Sequence, residues 1–389
     1  MNVPRIGLRR EDISRWERRA PLTPREVARL VAGGLPVDVQ SSEVRVFEDI
    51  AYREAGASVV ENLERCNVIF AVKEIPPDVI LPDKTYVFFA HVVKGQAANM
   101  PMLARLRAER CSLVDYERIV DAEGRRLVFF GRFAGLAGMI DTLWALGKRL
   151  AHEGRATPFA DLRPAWEYDD LAEARRAVEE VGRRLAAEGC GRDLAPLVVA
   201  FAGYGNVSGG AQEILGLLPT EEVAPAEVAT LAARGDASEK VVYKTVLKEE
   251  HLVEPVAPVA AFDLADYYDF PAKYRPVLAN FLGHITVLVN CIYWDPRYPH
   301  FVTKADLAKL FGAAEAPRLR VIGDLSCDVE GGIEATVKAT DPEAPLYVYD
   351  VELREAVDGV AGRGPVILAV FNLPAEIPLD ASEYFGRQL

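Results

Sequence analysis

One stretch constrains the fold of this chain more than any other. Leu197–Ala202 (LVVAFA) is an unbroken apolar run, the pattern of a strand covered on both faces. It runs directly into Gly203-Tyr204-Gly205-Asn206-Val207-Ser208-Gly209-Gly210-Ala211, and a helical pattern continues through Leu218. A strand, a glycine turn and a helix in immediate succession can seat a pyrophosphate on a helix N-terminus. Gly203 would allow the tight turn and Gly205 the approach of phosphate to backbone. Gly209 or Gly210 would let helix and strand pack closely. The spacing is GxGxxxG, not GxGxxG, so a plain strand–helix turn that uses glycine only for packing is the competing reading.

The rest of the chain supports an α/β class. Val68–Val72 (VIFAV) and Tyr86–Ala90 (YVFFA) are further unbroken apolar runs. Arg5–Leu8, Val37–Gln40 and Ser112–Tyr116 read as strands, with helices over 24–31, 50–56 and 99–109 between them. This alternation implies a doubly wound parallel sheet. A long helix is expected over 133–152, rich in small residues at its start (Ala134, Gly135, Ala137, Gly138), which would permit close packing or close approach to a ligand. After the glycine loop come strands at Thr286–Asn290, Arg320–Asp324 and 365–371, and a helical tail. The expected architecture is two Rossmann-like, doubly wound parallel-sheet domains separated by a cleft.

Composition narrows the function. Lys plus Arg is 45 and Asp plus Glu 58, a net charge of −13. That opposes nucleic-acid binding, which needs a basic face, and electrostatic attachment to an anionic membrane. The N-terminus is charged where an export signal would be apolar, and no run reaches the ~20 apolar residues of a membrane span. The five cysteines are scattered, with no CxxC pair, so neither a disulfide framework nor a zinc site is expected and a reducing cytoplasm fits.

The strand after the glycine loop bears on the cofactor. For NAD it should end in an acid that binds the ribose 2′-hydroxyl. Read as Glu221–Ala224, it ends in alanine, which favours NADP, with Arg234 or Lys240 as the phosphate's cation. Glu221, Glu222 and Glu227 keep NAD open.

A second constellation lies nearer the N-terminus. Lys73 follows VIFAV, His91 follows YVFFA with Lys94 and Gln96 just beyond, and Glu117 follows SLVDY. All fall at the carboxyl ends of expected parallel strands, where open α/β sheets bind ligands. Lys, His and Glu together offer proton transfer with adjustable pKa. Singly, each is as well read as a solvated charge or a structural histidine. Arg9, Arg10, Arg15, Arg18 and Arg19 crowd one segment, and Arg125 and Arg126 another. Guanidinium binds carboxylate bidentately, so the clusters suit a polycarboxylate. Surface pairing with Glu11, Asp12 and Glu17 is the plainer reading of any one of them.

At these residues the chain becomes recognisable. RREDISRWERRAPLTP, VKEIPP, FFAHVVKGQAANMPML, LVDYERIVDAEGRRLVFFGRFAGLAGMIDTL, GYGNVSGGAQEI, NCIYWDPRYP and GDLSCDVEGGIEAT follow in order. They resemble the lysine-ketoglutarate reductase domain of the bifunctional aminoadipic semialdehyde synthases. They are similar, more distantly, to fungal lysine-forming saccharopine dehydrogenase, within the alanine dehydrogenase and transhydrogenase-like superfamily. The resemblance implies an oxidoreductase that reversibly condenses L-lysine with 2-oxoglutarate to saccharopine, using a nicotinamide hydride.

It implies Lys73 and His91 as the acid–base pair, with Glu117 tuning the lysine. It implies Arg19, Lys94, Gln96, Arg126 and Asp324 as substrate contacts. Cofactor contacts would fall on Gly203, Gly205, Asn206, Val207, Ser208, Asn290, Ile292 and Asp324. NADP(H) is favoured, NAD(H) stays open, and no metal is implied. Residues 1–135 plus about 352–389 would form the substrate-side domain and 136–351 the dinucleotide-binding domain. A chain ending at Leu389 would hold the lysine-forming activity alone. A homo-oligomer is left open. So are a related amino-acid or opine dehydrogenase with another amine or keto acid, and a non-catalytic nicotinamide-binding protein.

Overall fold

Six short strands from the N-terminal third pair into one wholly parallel sheet: β1 (Ile6–Leu8), β2 (Val37–Gln40), β3 (Ser58–Val60), β4 (Val68–Phe70), β5 (Thr85–Phe88) and β6 (Ser112–Asp115). Their order is β3-β2-β1-β4-β5-β6, so the winding reverses between β1 and β4. In such a sheet the crevice beyond the carboxyl ends of the two strands at the reversal is where ligands bind. The computed structural model describes residues 4–93, 95–257, 260–313 and 317–389.

The chain forms two units, Met1–Phe130 with Ile377–Leu389, and Gly131–Glu376. Helices α1 (Pro24–Ala32), α2 (Asp49–Glu54) and α3 (Met100–Ala108) belong to the first. Proline at the first position of α1 suits a helix start, and Glu26 accepts from the backbone N–H of Thr23 at 3.2 Å. The terminal helix Pro378–Gln388 completes this unit. Its Phe385 is fully buried, stacked on Phe130 (centroids 4.5 Å, planes 10° apart) and edge-on to Tyr116 at 5.0 Å. Its Ser382 hydroxyl accepts from the Ala20 N–H at 2.9 Å.

The second unit holds α4 (Gly131–His152), α5 (Leu171–Glu188) and an eight-stranded sheet. The strands are β7 (Leu197–Ala202), β8 (Thr220–Glu222), β9 (Val242–Leu247), β12 (Val287–Asn290), β13 (Val321–Asp324), β14 (Leu346–Asp350), β15 (Glu355–Asp358) and β16 (Val366–Leu368). A separate ribbon pairs β10 (Val253–Pro255) with β11 (Tyr274–Pro276). The large sheet runs β15-β14-β16-β13-β12-β7-β9-β8.

Three sequence expectations are corrected here. The sheet is mixed, because β14 and β15 add antiparallel strands at one edge. The return to the first unit comes at Ile377, not near 352, since β15 and β16 pair inside the second sheet. The strand beside β7 is β9, not the segment 221–224. β8 is a fully exposed edge strand outside β9 and carries no apolar signature.

The small residues at the start of α4 serve packing. α6 (Asn206–Leu215) crosses α4 so closely that a Cβ on Gly210 would lie 2.1 Å from the Arg132 carbonyl oxygen. One on Gly135 would lie 1.9 Å from that of Val207. Backbone cannot yield at those distances. Among the described residues no helix is long and apolar enough to cross a membrane, and no group of three or more His, Cys, Asp or Glu is placed to hold a metal.

Two carboxyl groups are buried together in this unit, Asp141 on α4 and Glu376 just before the crossing, 1% and 3% exposed. Asp141 accepts from the Ala165 N–H at 2.7 Å. Burial raises both pKa values, and the charge of Asp141 raises that of Glu376 further. Each group therefore holds its proton more firmly folded than unfolded. The stabilisation is present at low pH and is lost as pH rises past the ordinary carboxylate range.

Two predictions follow from this packing. Gly210→Ala should destabilise the protein by about 1–3 kcal/mol or more, read as a lower denaturation midpoint; an unchanged midpoint would show that the crossing is not tight. Glu376→Gln should flatten the fall of Tm between pH 6 and 9, and an undiminished fall would place its cause elsewhere.

Candidate active site

The reversal between β1 and β4 is built around a buried carboxylate. Glu11, just after β1, accepts from the N–H groups of Val72 (2.7 Å) and Lys73 (3.0 Å), just after β4. Burial, then the nearby Glu17, raise its pKa to about 7, against the opposing pull of those two N–H groups. It joins the two strand ends and fixes the backbone that carries Lys73. The Lys73 ammonium is largely withdrawn from water. Burial and then the charge of Arg19 lower its pKa, while Glu74, Glu17 and Glu11 pull the other way. An amine so placed releases its proton more readily than one in solvent, which suits it to proton transfer.

His91 follows β5 in a left-handed conformation (φ +47°), which is uncommon for a non-glycine residue and is found where a surrounding structure imposes it. Its ring stacks on Phe89, centroids 5.8 Å apart. Nδ1 lies 3.6 Å from Glu117 and Nε2 3.8 Å from Glu74, within ion-pair reach but too long for hydrogen bonds. Glu117 sits on the turn after β6, where Asp115 accepts from its N–H at 3.0 Å. It also accepts from Arg126 at 2.7 Å.

The structure thus brings Lys73, His91, Glu117, Arg19 and Arg126 to one end of one sheet, with two changes of role. The carboxylates that act most on Lys73 are Glu74, Glu17 and Glu11, whereas Glu117 faces His91. Arg19 is not a surface charge. It is 2% exposed, held by Glu17 through Nε (2.8 Å) and Nη2 (2.6 Å), and lies 4.1 Å over the Phe130 ring. Arg9 pairs with Asp12, but it too is buried and not a surface charge. Gln96 is exposed on the loop before a short helical turn, and Lys94 lies outside the described residues. Glu11, Glu17 and Glu74 were passed over as functional residues. Their types were visible, but burial was not. Among the described residues, one buried Glu74 oxygen and the Tyr116 hydroxyl have no hydrogen-bond partner.

The glycine loop forms its own site in the second unit. Gly203 turns with φ +94°, a conformation side chains rarely adopt. Space beside Gly205 is open, so backbone there is accessible to a ligand. In α6 the first intrahelical bond of the loop is Gly209 N–H to Gly205 carbonyl, 2.8 Å. The N–H groups of Asn206, Val207 and Ser208 therefore have no carbonyl one turn earlier, and the helix dipole adds positive potential there. These residues fit a pyrophosphate through their backbone. The Ser208 side chain does not face it: the hydroxyl is fully buried and accepts from Gln212 at 2.9 Å.

Asn290 and Asp324 end adjacent strands and are both buried. Asn290 donates to Asp324 at 2.9 Å, and Asp324 also accepts from Thr336 at 2.6 Å and Cys327 N–H at 3.3 Å. Asn290 also accepts from the Ile292 N–H at 3.4 Å, so the pair braces the loop that carries Ile292. A cavity of about 370 Å³ opens beside the loop, lined by Gly203, Gly205, Glu249, Tyr268, Ile292 and Tyr293 among others.

Residues 7–137 match the family model "Alanine dehydrogenase/PNT, N-terminal domain". The chain is 37% identical to alpha-aminoadipic semialdehyde synthase of Arabidopsis thaliana, over 98% of this chain and 37% of that protein. It is 36% identical to the mitochondrial protein of that name from Bos taurus, over 99% of this chain and 42% of the other. It therefore spans about two fifths of the length of those relatives. Saccharopine dehydrogenase [NAD(+), L-lysine-forming] of Neurospora crassa is 27% identical, over 100% of this chain and 90% of the fungal one. Among solved structures, an L-alanine dehydrogenase superposes with a TM-score of 0.59 at 16% identity, covering 99% of this chain and 87% of the other. A transhydrogenase from Sinorhizobium meliloti gives 0.55 at 14%, covering 98% and 90%. These two show the fold.

Glu11→Gln tests the keystone role of that carboxylate. Glutamine has one acceptor oxygen for two N–H donors and turns its amide toward the second. Stability should fall by about 1–3 kcal/mol in denaturant titration. A loss under a few tenths would mean the two N–H groups do not depend on Glu11.

Proposed function

Given its kinship with the lysine-ketoglutarate reductases and saccharopine dehydrogenases, we propose that this chain reductively condenses L-lysine with 2-oxoglutarate to saccharopine, reversibly. The observation that carries the reading is the half-buried Lys73, its pKa lowered, at the strand end next to that of His91, with Glu74 acting on both. A nicotinamide cofactor, when bound, supplies the hydride. The backbone N–H groups of Asn206, Val207 and Ser208 would hold its pyrophosphate, in the space beside Gly205.

The remaining work falls to the first unit. Condensing an amine with a ketone needs a proton taken from nitrogen and one given to the departing oxygen. Lys73 Nζ serves these transfers, because burial lets it alternate between amine and ammonium. His91 serves the nitrogen that becomes the secondary amine, with Glu117 and Glu74 flanking its ring as counter-charges. Arg19 and Arg126 take substrate carboxylates, which compete for guanidinium with Glu17 and Glu117. The five cysteines are unpaired, in keeping with a reducing compartment such as the cytoplasm.

NADH and NADPH oxidation should be followed with lysine and 2-oxoglutarate, and with a panel of amines crossed with pyruvate and glyoxylate. Lysine with 2-oxoglutarate should give the highest kcat/KM. Lys73→Met should lower kcat by about 10²-fold or more. A better pair on the panel would replace the lysine reading with another amino-acid or opine dehydrogenase. Cofactor binding without turnover on any pair would make the protein non-catalytic.

A further inference from the structure

We infer that Glu249 makes this chain select NADH over NADPH. The inference rests on the nicotinamide-binding part of the reading above and is independent of which amine is used. It comes from strand order. β9 pairs with β7 along its whole length, Leu247 beside Ala202, and the Gly203 N–H donates to the Leu247 carbonyl at 2.9 Å. The residues after Leu247 therefore stand next to the glycine turn, in the place where a dinucleotide's adenosine ribose is read. They are Lys248 and Glu249.

Glu249 lines the cavity beside Gly203 and Gly205. It is half-buried, and the Tyr268 hydroxyl donates to its Oε1 at 2.6 Å, which fixes the carboxylate in place. A fixed carboxylate accepts from a ribose 2′-hydroxyl and repels a 2′-phosphate in the same position. Two of the cations that could favour the phosphate are already paired. Arg234 pairs with Glu227 at 2.9 Å, while Lys244, on β9, pairs with Glu222 at 2.7 Å and donates to Gln212 of α6 at 3.3 Å. Lys248 is the one cation adjacent in sequence, and its ammonium lies 6.0 Å from the centroid of the Tyr204 ring. Tyr204 in turn feels the Glu249 charge. The NADP preference drawn from Ala224 thus rested on a strand that does not border the loop.

Binding of NADH and of NADPH, followed by nicotinamide fluorescence without any substrate, tests this in the wild type, Glu249→Gln and Lys248→Met. The wild type should bind NADH about tenfold or more tightly than NADPH. Glu249→Gln should shrink that ratio severalfold, chiefly by tightening NADPH. Equal or tighter binding of NADPH by the wild type overturns the inference. So does an unchanged ratio in Glu249→Gln, or a wild-type NADPH preference that Lys248→Met abolishes. If neither cofactor binds, the nicotinamide reading falls with it, whereas tight NADH binding without turnover removes only the proposed reaction.

Discussion

The second unit depends on how near two helix backbones can come. α6 begins at the phosphate-type turn, so its position decides where its free N–H groups stand. That position is set from behind by α4, against which Gly210 and Gly135 interlock without side chains. Any larger residue at either place would lift α6 from the sheet and move its N-terminus with it. α4 is buried along most of its length, including Leu136, Ile140, Leu143 and Leu150, and therefore acts as a fixed support.

The first unit solves a different problem, which is how to withdraw several charges from water at one sheet end. Glu11, Glu17 and Arg19 are 8%, 1% and 2% exposed, and Lys73 is mostly enclosed beside them. Unpaired, such groups would be prohibitively costly to bury. Opposite signs alternate, backbone N–H groups satisfy Glu11, and an aromatic face receives Arg19. The same desolvation that makes this arrangement demanding is what moves the pKa of Lys73 toward a useful range. Stability and chemistry here draw on one cause.

Much of this was legible in the sequence. The central strands of both sheets were readable because unbroken apolar runs such as LVVAFA and VIFAV mark strands covered on two faces, whereas the antiparallel edge of the second sheet was not. The glycine turn was read correctly because strand, turn and helix are contiguous. Lys73, His91 and Glu117 could be placed at strand ends because those ends are visible as the points where apolar runs stop. What stayed hidden depends on pairing between distant segments. Nothing in Thr220–Glu222 distinguishes an edge strand from a central one, so the place of β9 beside β7 was missed. Glu17 and Arg19 look in sequence like any exposed pair two residues apart, and only tertiary packing buries them. The inward turn of the Ser208 hydroxyl follows helix rotation, which a glycine pattern does not specify.

The path of the chain has a bearing on its synthesis. Gly131–Glu376 is one uninterrupted segment, and a ribosome delivers it whole before the last helix of the first unit appears. Phe385, the partner of Phe130 and Tyr116, is more than 250 residues downstream of both in sequence (385 − 130 = 255). Until it emerges, the aromatic slot beneath the sheet end that bears His91 and Arg19 stands open, with apolar surface exposed. The nascent first unit is then a body with an unfilled seat, while the second already has every strand it needs. Proteins generally assemble by domains, the earlier one first. Here the order is inverted by topology: the half whose strands come first in the chain is the last that can close.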